Sequence, residues 1–413
     1  MVRQEYAQMW RQLGDRPIEA LLAMSPMADP LARGTMDVLT ALVAPAWHSD
    51  DNLRSLVIGR MVNLSLEHGN SDASCSAYAL VGTVLGPCFG DYKAAYRFCQ
   101  LGLDLVEQRG VDRLKARVYL FFNQVNAWTR HVRAGRPLVR RAFDTAQQAG
   151  DLTYAVFSQN NLITNLLASG DPLAEVQHEA EAGLEFARRA RFGIVVDFIT
   201  TQLQLIRTLR GLTPAFGCFE DTEFSEGRFE QHLDEDPSLA PALCWYWIRT
   251  LQARFFAGAH GPGLEAASKA QRLLWTSPGL FELPEYHLYA ALTQAALCDA
   301  AAGPVVVLHL EALAAHHRQL HEWAENCPEN FENRAALVGA EIARIEGRDA
   351  DAMRLYEQAI RSARANGFVH NEALAYELAA HFYAARGFEE IHHVYLLNSL
   401  VTCAGAPTGR CGN

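Results

Sequence analysis

The sequence predicts an all-α protein built as a superhelical array of helical hairpins, an α-solenoid. Three observations predict it. Apolar residues recur at steps of three and four along most of the 413 residues, the mark of one buried stripe on an amphipathic helix. Glycines at 90, 135, 170, 211, 258, 303, 347 and 387 fall at or near the ends of these segments, 35 to 47 residues apart. That interval suits stacked hairpins whose turns use the left-handed conformation glycine adopts without a Cβ penalty. Strand signals are nearly absent. The one β-branched run, Val305-Val306-Val307, follows Gly303-Pro304 and reads as a helix start.

Taken in order, Tyr6 to Leu13 is an amphipathic helix, and Pro17 opens another after Gly14. Pro26, Pro30 and Pro45 are expected to break the next stretch into short helices. Gly90-Asp91-Tyr92, with Ala95 three residues on, is a weak copy of the repeat. The clearest copy runs from Gly347 through Ala352 and Tyr356 to Ala359, with Leu355, Ile360 and Ala363 completing the stripe. Small alanines let two helices approach while Tyr356 fills the space between hairpins, a pattern similar to the tetratricopeptide repeat but longer in period. A second stripe is expected from Ala373, Leu374, Glu377, Leu378, His381 and Phe382. Residues 212–240, with Pro214, Gly217 and an acidic run ending at Pro237, read as an irregular linker or long loop. The expected organisation is an N-terminal repeat lobe over 1–211, that linker over 212–240, and a C-terminal lobe over 241–396.

Composition narrows the function. Half of the residues are apolar and 20% are charged, the profile of a globular chain. A net charge of −11 without a block of like charge argues against a nucleic-acid surface. No apolar run reaches the roughly 18 residues of a membrane span, and Met1 to Tyr6 lacks the apolar core of a signal peptide. Nine scattered cysteines, never spaced Cys-x-x-Cys, read as reduced thiols and point to the cytoplasm.

Catalytic constellations are missing. There is no Walker-type phosphate loop, no His-Arg-Asp or Asp-Phe-Gly, and no dinucleotide fingerprint. Gly258 to Gly263 is a turn, since Pro262 lacks the N–H a phosphate needs. His317 and His321 share a helix face beside His316, but zinc would need further ligands. A solvated face is the reading adopted, with no metal and no cofactor expected. Asn161 and Asn165 also share a face, where amides either bind a peptide backbone or satisfy a neighbouring turn. Trp245-Tyr246-Trp247, with Arg249, cannot hide every ring on one stripe. Asn161, Asn165, Trp245, Trp247 and Arg249 are therefore the candidates for a partner-binding groove.

Five segments carry a more specific likeness: Leu64 to Ala73, Leu162 to Pro172, Trp275 to Gly279, Trp323 to Asn330 and Asn371 to Ala380. They resemble the helical-repeat region of very large bacterial and fungal signalling kinases. In that family a serine/threonine-kinase-like domain and an AAA-type ATPase precede the repeats, and GAF or PAS sensors with a histidine-kinase core follow. The resemblance spans about residues 1–396 and implies a connector without either catalytic end. Its implied partners are proteins or the neighbouring kinase and ATPase domains. The family's ATP-binding and phospho-accepting motifs find no match, so no catalytic residue carries over. After Tyr395 the pattern departs. Thr402 to Asn413 is neither amphipathic nor repeat-like, and codons exist for which a one-nucleotide shift would turn it into family-like sequence. The expectation is a frameshifted fragment with a disordered tail over 397–413 and apolar repeat ends able to self-associate. The alternative is a stand-alone module that binds a peptide or protein.

Overall fold

The computed structural model describes residues 1–47, 50–299 and 303–404, and among these the chain is helical with no strand beyond an isolated Pro26–Asn70 bridge. The N-terminal part holds α1 (Val2–Leu13), α2 (Pro30–Trp47) and α3 (Asp51–His68). Hairpins follow: α4 (Asp72–Phe89) with α5 (Tyr92–Arg109), α6 (Asp112–Asn126) with α7 (Arg136–Ala149), and α8 (Leu152–Ala168) with α9 (Leu173–Arg189). Next come α10 (Gly193–Leu209) and the short α11 (Glu226–Glu235). The series resumes with α12 (Ala240–Phe256) and α13 (His260–Gln271), then α14 (Glu282–Cys298) and α15 (Pro304–Asn326). It ends with α16 (Pro328–Ile345) and α17 (Asp349–Ala365), then α18 (Val369–Ala384) and α19 (Glu389–Ala404).

Two layers result. From α4 to α18 the even-numbered hairpin helices pack on one another in sequence and form the inner wall, while each odd-numbered partner lies outside. Successive inner helices begin at Asp72, Asp112, Leu152 and Gly193, a spacing of 40 or 41 residues. Outer helices need one buried stripe, and their small residues supply it: Val139, Ala142 and Ala146 on α7, or Ala266, Ala267 and Ala270 on α13. Inner helices touch neighbours on several sides and are buried over most of their surface. This is why the stripe expected on α18 is too narrow. Asn371, Glu372, Tyr376, Ala379 and Tyr383 are also buried, whereas Glu377 and His381 face solvent.

The junction between α7 and α8 shows how one helix stops and the next starts. At Gly150 (φ +70°) the Asp151 N–H reaches the Ala146 carbonyl at 2.8 Å, closing one helix. Asp151 then accepts the Tyr154 N–H at 3.2 Å and starts the next. Gly135 differs from the expectation, because it is not a left-handed turn. A Cβ there would sit 2.2 Å from Asn123 Oδ1, so close approach is what requires glycine.

Several expected boundaries move. Pro45 sits in the last turn of a continuous α2, Pro30 opens it, and Ile18–Ala23 is a 3₁₀ turn. Residues 212–240 do not separate two cores. Phe219 and Leu233 are buried within them, α11 packs on α12, and α10 packs directly on α12. One apolar core instead runs from Tyr92 to Tyr383, with a second from Tyr6 to Val125. The tail boundary at 397 also shifts, since α19 continues to Ala404, and residues 405–413 lie outside the described residues.

The array closes on itself. The turn after α6 packs against the N-terminal ends of α14, α16 and α18. Asn330, fully buried, donates from Nδ2 to the carbonyls of Ala127 (2.7 Å) and Arg130 (2.8 Å) and accepts the Val132 N–H on Oδ1 (3.0 Å). Trp128 Nε1 donates to the Gly279 carbonyl at 3.0 Å, and its ring stacks on Tyr92 and Phe331. Arg133 reaches the carbonyls of Ser169 and Gly367 at 2.8 and 3.0 Å. Removing one amide here strands two buried backbone groups and a part-buried one. Asn330→Ala is expected to cost about 2–4 kcal/mol, whereas Asn161→Ala, whose amide serves only its own helix at the Phe157 carbonyl, should cost under about 0.5 kcal/mol. Urea unfolding of both variants checks the contrast.

Candidate functional site

The consecutive aromatics of α12 diverge because successive helical residues point about 100° apart. Trp245 turns inward, with its ring centroid 4.4 Å from Phe198 and its Nε1 donating to Ser277 Oγ at 3.3 Å. Tyr246 donates to Glu230 at 2.8 Å and anchors α11. Trp247 lies under Lys269, whose ammonium sits 3.8 Å from the ring centroid.

Trp245 belongs to the wall of a cavity of about 290 Å³ enclosed by α2, α6, α8, α10, α12 and the start of α14. Trp47, Phe121, Phe157, Phe198 and Phe281 supply its other main aromatic walls. Asn160, Asn161, Thr164, Asn165 and Glu282 form a polar strip along one side. The structure thus brings three expected residues together here, Asn161, Asn165 and Trp245. Two do not join them. Trp247 serves the α12–α13 contact, and Arg249 is buried in an ion pair.

Asn165 is spent structurally. It donates to the Val132 carbonyl at 2.7 Å and accepts from Arg136 Nε at 3.0 Å, so it satisfies the turn after α6. Asn161 keeps only the bond to its own helix. The residues that sequence patterns missed are Asn160, Thr164, Phe198, Phe281 and Glu282. Asn160 and Thr164 each stand one residue before a member of the Asn161–Asn165 helix-face pair. Phe281 and Glu282 follow a Pro-Gly turn and carry no periodic signal.

From this strip a buried polar ladder crosses the inner wall. Gln202 of α10 donates to Asn160 Oδ1 at 2.9 Å, and its Oε1 lies 3.2 Å from Thr164 Oγ1. Thr164 is also 3.0 Å from Glu282 Oε1, which pairs with Arg249 at 3.2 Å. Arg249 donates to Gln252 at 2.9 Å, Gln252 donates to Glu285 at 2.9 Å, and Arg334 pairs with Glu285 at 2.9 Å. Burial pushes the Glu282 carboxyl above its ordinary range, and Arg249 opposes the shift. The two Arg–Glu pairs leave the ladder neutral.

His316 is not on a solvated face with its sequence neighbours. Its Nδ1 lies 3.0 Å from Nδ1 of His287, among Tyr286 and Trp323. One ring donates and the other accepts, which requires at least one neutral imidazole. Burial pushes His287 down to about 3, with His316 adding to it, and pushes His316 down to about 4. His321 remains on the surface. Among the described residues no group of three or more His, Cys, Asp or Glu is placed to hold a metal ion.

Comparison with known proteins adds a distant relative. No protein-family profile matches the chain. Hybrid signal transduction histidine kinase G of Dictyostelium discoideum is 24% identical over 188 residues, 45% of this chain and 6% of that protein. The chain therefore corresponds to a small part of that relative's length. A solved circular tandem repeat protein with novel repeat topology and enhanced subunit contact surfaces aligns over 91% of this chain and 97% of its own, at 15% identity and a TM-score of 0.22. This chain is a helical repeat protein. Among the described residues no helix is long and apolar enough to cross a membrane.

The histidine pair makes stability pH-dependent. Unfolded imidazoles take up protons near pH 6.5, while the folded pair resists until about 4 or below. Stability should fall as pH drops from 6.5 toward 4, by on the order of 1–2 kcal/mol per ring at pH 5. Glu282 and Asp197, raised by burial, act with the opposite sign. Urea unfolding at pH 7.5 and 5.0 should therefore show a smaller loss in His316→Gln than in the unsubstituted chain.

Proposed function

We infer that this chain is a non-catalytic helical-repeat scaffold that, within a larger signalling protein, couples a kinase-like and ATPase half to a sensor histidine-kinase half. The observation that carries the reading is the outer face of α19. Ile391, Val394, Leu397 and Val401 follow one another at steps of three and four, with Leu400 beside them, and all are exposed. Repeat arrays stack such a stripe against the next unit, and a terminal unit ordinarily shows a polar face instead. The stripe thus fits a further hairpin continuing the array. The partial likeness to a hybrid histidine kinase supports the signalling context.

Sequencing the transcript across codons 395–413 and its flanks tests the context. A frame leading into sensor and histidine-kinase sequence supports it, and flanks without kinase or ATPase sequence overturn it. A stand-alone peptide binder draws less support, because an extended peptide needs an open concave face. The turn after α6 already covers the N-terminal ends of α16 and α18.

The stripe also makes a prediction for the chain alone. It should self-associate at tens of micromolar, and Val394→Glu combined with Leu397→Glu should abolish this with stability changed by under about 1 kcal/mol. Sedimentation velocity and thermal melting give both readouts.

A further inference from the structure

We propose that the cavity between α2, α8, α12 and α14 is a binding site for a small, uncharged, flat molecule bearing an amide edge. Its volume of about 290 Å³ is roughly twice that of a cavity holding one benzene, so it accommodates about a dozen non-hydrogen atoms. That is too little for a peptide helix. The walls are aromatic, and flat apolar ligands stack on such surfaces.

The polar strip sets the ligand's chemistry. Asn160 and Glu282 are each more than nine-tenths buried and both line the cavity. Asn160 uses Oδ1 for Gln202, and its Nδ2 donates to nothing among the described residues. Glu282 takes Thr164 and Arg249 on Oε1, and no described side chain donates to Oε2. Thr164 and Gln202 bridge these two residues, so the Asn160 N–H group and the Glu282 carboxyl, which also takes a backbone hydrogen bond, belong to the same polar strip of the wall. An amide offers the complement, a carbonyl for Asn160 and an N–H for Glu282. Arg249 already balances the Glu282 charge, which favours a neutral ligand over a cation. Access runs past the C-terminal turns of α2, where Ala44 is exposed and lines the mouth.

The test titrates the whole chain with indole-3-carboxamide, quinoline-3-carboxamide and benzamide by calorimetry and saturation-transfer NMR. 2-Methylnaphthalene and indole-3-carboxylate are the comparators. At least one amide should bind one-to-one with Kd below ~1 mM, at least tenfold more tightly than both comparators. Ala44→Phe, at an exposed position that leaves the core intact, should weaken binding at least tenfold, and Ala44→Ser should leave it unchanged. Three outcomes overturn the proposal: no amide binding at that concentration, equal affinity for 2-methylnaphthalene or the carboxylate, or binding indifferent to Ala44→Phe. None of them bears on the connector reading, which rests on α19.

Discussion

The Asn330 amide is the contact on which the shape of the array depends. Its three hydrogen bonds hold the turn after α6 against the start of α16, about 200 residues further along the chain. The turn's backbone groups have no helix or sheet partner there, and burial without partners would cost each of them on the order of 1–3 kcal/mol. One side chain removes that penalty at three points. With the turn fixed, Trp128 is pressed among Tyr92, Trp323 and Phe331, and Tyr92 accepts a hydrogen bond from Trp323 Nε1 at 3.1 Å. The aromatic cluster is thus a consequence of the closure as well as a contributor to it.

Closure also explains the polar ladder. An inner wall facing open water would need no compensation for its polar side chains. Here the chain covers that wall, so Arg249, Glu282, Glu285 and Arg334 are buried and must neutralise one another. Such pairs gain little over apolar residues of the same size, but removing one member leaves a stranded charge worth about 3–5 kcal/mol. Because the ladder links α10 to α8, α8 to α14, and α14 to both α12 and α16, a shift of one helix along its neighbour breaks several bonds at once. The ladder therefore fixes helix register more than it adds stability.

Local features of this fold were legible in the sequence. The alanine stripe of α17, the helix starting at Pro304 and most of the glycine turns follow from periodicity and backbone sterics between near neighbours. Features created by distant pairs were not. Asn330 carries no local mark that separates it from a surface amide, and Gly135 is required by Asn123, which is far from any turn signal. The segments with the signalling-kinase likeness contain Asn165, Gly279, Trp323 and Asn330, and each of these makes a closing contact. Those motifs mark architecture, not chemistry. All five candidate groove residues sit on the inner helices α8 and α12, and which of them reach the cavity depends on the neighbour each side chain meets.

A solenoid whose units touch only their neighbours behaves as a one-dimensional chain, in which each unit unfolds or bends nearly independently. Ties between α6 and α16, and between the turn after α8 and His370 of α18, remove that independence from the middle of this array. A hairpin between the tied points cannot rotate without straining contacts on both sides, so the block from α6 to α18 should move and unfold as one body. Flexibility is then confined to the ends, where α1–α3 rest on a separate core and α19 has one packed face. A stiff middle of this kind passes rotation of one end on to the other, whereas an open solenoid absorbs it as distributed bending.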